Sequence, residues 1–242
     1  MTSFRWKNCF ADVQASKHDV TIQTYFDDVI LPALATLDRR IDELGRSDVP
    51  GHEFARADMQ DVLRETKLAF GLSIQSIWER QLRVYLLGCA RELRPGQPVT
   101  KRETANWEAL CGLFREMRGI GLDAFPSFPK LDLLQHLGNA CRHGDGRSAT
   151  ELANRSPDLW RAIPPMPAEF NMPPPGPSPV AMMDIPVERL REFVAAIAEF
   201  WRDAEYIYNE SLEAEHPSLE AWLVRERAHR PWLPQVQTEG DA

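Results

Sequence analysis

Paired cysteines, alternating strands, long apolar runs and the common catalytic signatures are all missing from this 242-residue chain. Its four cysteines, Cys9, Cys89, Cys111 and Cys141, are spread without a C-x-x-C pair. That spacing argues against a zinc site or a secreted disulfide framework, and predicts a reducing, cytoplasmic setting. The N-terminal text MTSFRWKNCFADVQ lacks the apolar centre of a secretory leader, so none is expected. VYLLGCA (84–90) is too short to cross a bilayer, and no membrane association is expected either. There is no H-E-x-x-H helix, no phosphate-cradling glycine loop and no G-x-S-x-G elbow. His18, His52, His216 and His229 are scattered without ligand spacing, so neither a metal nor a cofactor is predicted.

Positive charge is in short supply overall. A formal net charge of −8 would repel a polyanion taken as a whole. Residues 64–102 nevertheless carry eight Lys/Arg against three Glu, whereas 184–242 carry six Arg against thirteen acids. A basic strip on an acidic body is compatible with nucleic-acid contact, and equally with a solvated helix face.

What the chain does have is helical periodicity nearly everywhere. Residues 19–44 read as one long helix that Pro32 should bend. The longest periodic stretch, about 53–93, aligns Met59, Val62, Leu63, Phe70, Ile74, Ile77, Trp78, Leu82, Tyr85 and Leu86 on one face. A helix over 100–120 follows. The next should start near Ser127-Phe128-Pro129, with Ser127 as cap, and end at Gly144. Residues 157–186 hold ten of the nineteen prolines, which forces an extended connection. Beyond it, 186–212 carries a stripe of Val187, Leu190, Phe193, Val194, Ile197, Phe200, Trp201, Ala204 and Ile207, and a shorter helix lies near 218–229.

These elements predict an all-α fold, a single helical bundle with a proline-rich crossover segment. The expected organisation is a helical core at 1–156, the crossover at 157–186, C-terminal helices at 187–230 on the same bundle, and a polar tail at 231–242.

The most functional text is LLQHLGNACRHGDGRSATEL (133–152). On its helix, Leu131, Leu134, Gly138 and Cys141 form an inner ridge, with Gly138 letting a neighbouring helix approach closely. His136, Asn139 and His143 form an adjacent polar ridge, and Arg142 lies beside it. Imidazoles that titrate near neutrality next to an anion-binding guanidinium suit phosphodiester chemistry. The same residues also fit a plain helix end: cations favour the C-terminal dipole, Gly144 closes the helix, and Asp145-Gly146 makes a turn. Cys141 reads as a small apolar helix residue rather than a nucleophile. On the long helix, Ser76, Glu79, Arg80 and Arg83 make a second polar stripe. Either it is a solvated face, or Glu79 orients a histidine while Arg80 or Arg83 holds phosphate.

LGNACRHGDG (137–146) resembles the end of the motif helix in HEPN domains (higher eukaryotes and prokaryotes nucleotide-binding). Those are α-helical bundles, often bacterial toxins or antiphage and RNA-processing endoribonucleases. Asn139 matches the motif's polar residue, His143 its histidine and Gly144 the glycine that follows; SIQSIWERQL (73–82) looks like the partner helix. The positions where the motif arginine is expected hold Gly138, Leu137 and His136, so Arg142, Arg80 or Arg83 would have to supply the charge.

The resemblance implies metal-independent RNA cleavage with His143 as general base or acid, a nearby arginine on the phosphate, and a symmetric homodimer around one groove. The site is then His143, Arg142 and Asn139, supported by His136, Glu79, Arg80, Arg83 and Asp145, with RNA or a nucleotide as partner. Absence of the motif arginine points instead to a catalytically inactive HEPN-like binding or sensor module.

Overall fold

Pro32 leaves the first visible mark on the architecture. In the computed structural model, which describes residues 3–96, 106–160, 179–213 and 216–234, the predicted N-terminal helix is real but is not one regular α-helix. A short helix α1 (Phe10–Ala15) precedes α2 (His18–Tyr25), which passes through a widened π turn at Phe26–Ile30 into α3 (Leu31–Gly45). Proline has no N–H to give the carbonyl four residues back, and its ring crowds that carbonyl. The wide turn just ahead of Pro32 accommodates both.

Among the described residues the remaining α-helices are α4 (His52–Leu93), α5 (Trp107–Arg118), α6 (Phe128–His143), α7 (Arg147–Arg155), α8 (Val187–Glu210) and α9 (Pro217–Arg227). Among the described residues the fold is all-α. The one extended pairing is an isolated bridge between Trp160 and Met183.

The chain forms two compact units, and each draws on residues from both sides of the proline-rich stretch. The first comprises 1–21, 78–129 and 196–242; the second comprises 22–77 and 130–195. Their boundaries fall inside α4 and α8, so both helices run through the two units.

The first unit is built around aromatic rings. Trp78, Phe125 and Trp201 stand around Phe200 with ring centroids 4.8 to 5.1 Å away. The ring pairs are edge-on or tilted, which matches negative ring faces to positive edges and adds about 0.5–1.5 kcal/mol per pair beyond burial. Trp201 also donates its indole N–H to Gln81 across 3.0 Å, so its polar atom is not left bare in the core.

In the second unit, Ile22, Phe26, Ile30 and Leu34 are buried, as are Ile74 of α4, Leu131, Leu134 and Leu137 of α6, and Leu190 and Phe193 of α8. The predicted stripe on α8 is buried throughout except at its first residue, Val187, which is half-exposed. The stripe predicted on α4 is buried from Ile74 onward except at Ile77, which is half-exposed, and fails at Val62, which is 46% exposed.

Most of the proline-rich stretch, 161–178, lies outside the described residues, as does the tail from 235. Its two ends are fixed side by side. The Asp184 amide donates to the Leu159 carbonyl at 2.8 Å, the Trp160 indole donates to the Pro179 carbonyl at 3.0 Å, and Lys67 pairs with Asp184 at 3.1 Å.

Candidate functional site

Helix α6 carries the site, and its ends follow from its sequence. Pro129 sits in the first turn, where a missing N–H costs nothing. Ser127 does not act as the predicted cap: its hydroxyl is buried and has no partner among the described residues. At the other end Gly144 adopts a left-handed φ of +74°, which spares it the Cβ clash any other residue would meet. Its N–H returns to the Ala140 carbonyl at 2.8 Å and closes the helix after His143.

Within the second unit α6 lies against α4 at very close range. A Cβ placed on Gly138 would fall 2.7 Å from Gln75 Cδ, and one placed on Gly71 would fall 3.2 Å from Leu137 Cδ2. Leu137 and Gly138 are therefore packing residues, the first fully buried. This explains what stands where a motif arginine was expected. A guanidinium at 137 or 138 would have to enter a helix contact with no room for it.

Two residues absent from the sequence reading complete the arrangement. Gln75 is fully buried and Gln135 nearly so. The Gln75 amide donates to Gln135 Oε1 at 2.8 Å, and Arg142 Nη2 donates to Gln75 Oε1 at 3.4 Å. Arg142 itself is exposed, and among the described residues no carboxylate lies within ion-pair distance of it. A neutral amide thus steadies the guanidinium without cancelling its charge. The clue in the sequence was register. Gln75 follows Gly71 by four positions and precedes Trp78 by three, so a polar side chain was due in the core.

The predicted polar ridge is present but uneven. His143 is exposed, Asn139 is half-buried, and His136 is 26% exposed. His136 Nε2 stands 4.0 Å from Asp132, and its Nδ1 is 3.5 Å from the Ser148 hydroxyl at the start of α7. Asp132 is also held by Arg155 at 2.7 Å, a clasp that docks α7 on α6. Asp145 accepts the Val180 N–H at 2.7 Å, so its carboxylate fixes the chain returning from the proline-rich stretch. Arg147, three residues past Gly144, adds another exposed cation, and no side chain caps the first turn of α7.

Of the second predicted stripe, Glu79, Arg80 and Arg83 belong to the first unit and Ser76 to the second. Arg83 donates to Glu79 at 2.7 Å as an i,i+4 pair, so the two charges offset one another, and Arg80 is exposed. Burial pushes the Cys141 thiol up to about 12, which keeps it protonated and fits the reading of an inert helix residue. Among the described residues no three His, Cys, Asp or Glu come together to hold a metal ion, and no helix is long and apolar enough to cross a membrane.

No protein-family model matches this chain, and no curated protein or solved structure is significantly similar to it.

Proposed function

We propose that this chain is a HEPN-like protein that cleaves RNA without a metal, using the tip of α6. The observation that carries the proposal is Arg142: an exposed guanidinium tied to the buried Gln75 amide, with no carboxylate among the described residues to neutralise it, directly beside the exposed His143. A phosphate brought to that tip meets a positive charge and an imidazole able to accept or donate a proton.

His143 takes the proton from a ribose 2′-hydroxyl, whose oxygen attacks the adjoining phosphorus. The bond to the 5′-oxygen breaks as that oxygen takes a proton from water, leaving a 2′,3′-cyclic phosphate and a 5′-hydroxyl end. Arg142 holds the non-bridging oxygens as their charge grows. Asn139 and Arg147 extend the polar surface along the RNA backbone. A second copy of the chain, paired symmetrically, would double this surface and offset the net acidity of the monomer. A role in bacterial stress or phage defence follows from the same resemblance.

One observation favours a binding or sensor module instead. Leu137 and Gly138 are committed to helix packing, so Arg142 has to stand in for the motif arginine from the other side of the histidine. Purified protein incubated with single-stranded RNA in EDTA separates the two readings. Cleavage that disappears in His143→Ala supports the nuclease. RNA binding without cleavage supports the module, and neither binding nor cleavage removes both.

A further inference from the structure

Cysteines that stand 80 positions apart in the sequence meet in the first unit. Cys9, just ahead of α1, and Cys89 of α4 bring their sulfurs to 3.6 Å. Arg118, from the last turn of α5, reaches both of them. Its Nη2 lies 2.9 Å from the Cys89 sulfur and 3.4 Å from the Cys9 sulfur.

Both terminal nitrogens of that guanidinium are held, while its buried Nε has no partner among the described residues. Nη2 pairs with Asp12 Oδ1 at 2.7 Å, Nη1 donates to the Lys7 carbonyl at 2.8 Å, and the cation rests over the rings of Trp6 and Tyr85 at 4.5 and 4.8 Å. Tyr85 and the Cys9 N–H both donate to the same Asp12 carboxylate, which holds the arginine's counter-charge in place. A buried cation oriented at two adjacent thiols stabilises a thiolate on one of them.

The two thiols are not equivalent. Cys9 is pulled down by the hydrogen bond with Cys89 and by Arg118, whereas Cys89 is pushed up by the same bond and by burial. Both cysteines are buried, but Cys9 keeps 6% exposure next to the exposed Phe10, while Cys89 has none. Cys9 is therefore the thiol favoured to ionise, and Cys89 the one that holds its proton more tightly.

We infer that Cys9 and Cys89 form an oxidative-modification site, which a peroxide converts to a disulfide tying the N-terminal segment to α4. The Cys9 thiolate attacks one peroxide oxygen and the O–O bond breaks, giving a sulfenic acid and a hydroxide or alkoxide. The Cys89 sulfur, losing its proton, then attacks the Cys9 sulfur and expels the hydroxyl as water. Each sulfur gives up one electron and the peroxide takes both. The sulfurs have to close by about 1.5 Å to reach bonding distance. Because the bond closes a long loop, it constrains the unfolded chain strongly, so oxidation raises thermal stability.

Intact-mass spectrometry and peptide mapping of the native full chain after hydrogen peroxide provide the test, with Cys111 and Cys141 as internal controls. The site predicts loss of the mass of two hydrogens, a Cys9–Cys89 linked peptide, and a melting temperature that rises by several degrees and falls back with dithiothreitol. In Cys89→Ser the reaction stops at Cys9, which dimedone captures; in Cys9→Ser, Cys89 stays reduced. Two results overturn the inference: Cys9 and Cys89 remaining thiols while Cys111 or Cys141 oxidises, or dimedone capture at Cys89 in place of Cys9.

Discussion

Arg142 leans on Gln75: its Nη2 donates to an amide oxygen that is itself shut away from solvent, while the rest of the guanidinium stays in water. This contact joins the packing of two helices to the chemistry at the end of one. A change in the core between α4 and α6 is therefore felt at the surface where RNA would bind.

Gln75→Met keeps the volume and removes the hydrogen bonds that join Gln75 to Gln135 and to Arg142. The Gln135 oxygen then loses its buried donor, at a cost of about 1–3 kcal/mol. Arg142 loses its tether, so RNA affinity falls while the His143 position is unchanged. Denaturant melts give the first effect and filter binding the second. A variant that is destabilised but binds RNA as tightly as wild type would uncouple the two.

Gly138→Ala probes the same contact from α6. The added methyl meets Gln75 well inside van der Waals distance. Overpacking of this kind costs about 1–3 kcal/mol, although alanine is the better helix former. Urea unfolding should show a lower midpoint with an unchanged slope.

Much of this could be read from the chain, and the failures have physical causes. The α8 stripe was legible because Leu190, Phe193, Ile197 and Phe200 repeat at helical spacing with nothing to contradict them. Gly138 announced the close helix approach that the structure contains. Val62 misled because α4 is 42 residues long and its first half buries few of its apolar side chains. Gln75 and Gln135 were hidden for a different reason. Each satisfies the other across 60 positions, and a polar residue at a core position declares no partner in sequence. The same holds for Cys9 and Cys89, whose separation hides their contact.

Arg118 and Asp12 are both enclosed, and their charges are 2.7 Å apart. Removing one partner strands the other in a dry core. Arg118→Met should therefore cost about 3–5 kcal/mol, far more than substitution of the exposed Arg40, whose pairing with Glu43 lies in solvent. Parallel thermal melts of the two variants test the difference.

Asp203 gives the fold an unusual pH response. Burial pushes its carboxyl up to about 6, against the pull of Arg230. Its second oxygen has no partner among the described residues. The folded state therefore holds this proton more tightly than the unfolded chain, and this group's contribution to stability falls as pH rises from about 4 to about 6. Asp203→Asn should flatten that part of the stability profile. Melting temperatures of both proteins between pH 4 and pH 7 test it; parallel curves would contradict the assignment.

The most direct test of the α6 tip compares wild type, His143→Ala and Arg142→Ala on one end-labelled single-stranded RNA in EDTA, scoring binding and product ends together. The account predicts 2′,3′-cyclic phosphate ends from wild type and none from His143→Ala, which still binds. Arg142→Ala should weaken binding and cleavage alike. Cyclic-phosphate products made undiminished by His143→Ala, or wild-type binding by Arg142→Ala, would contradict it.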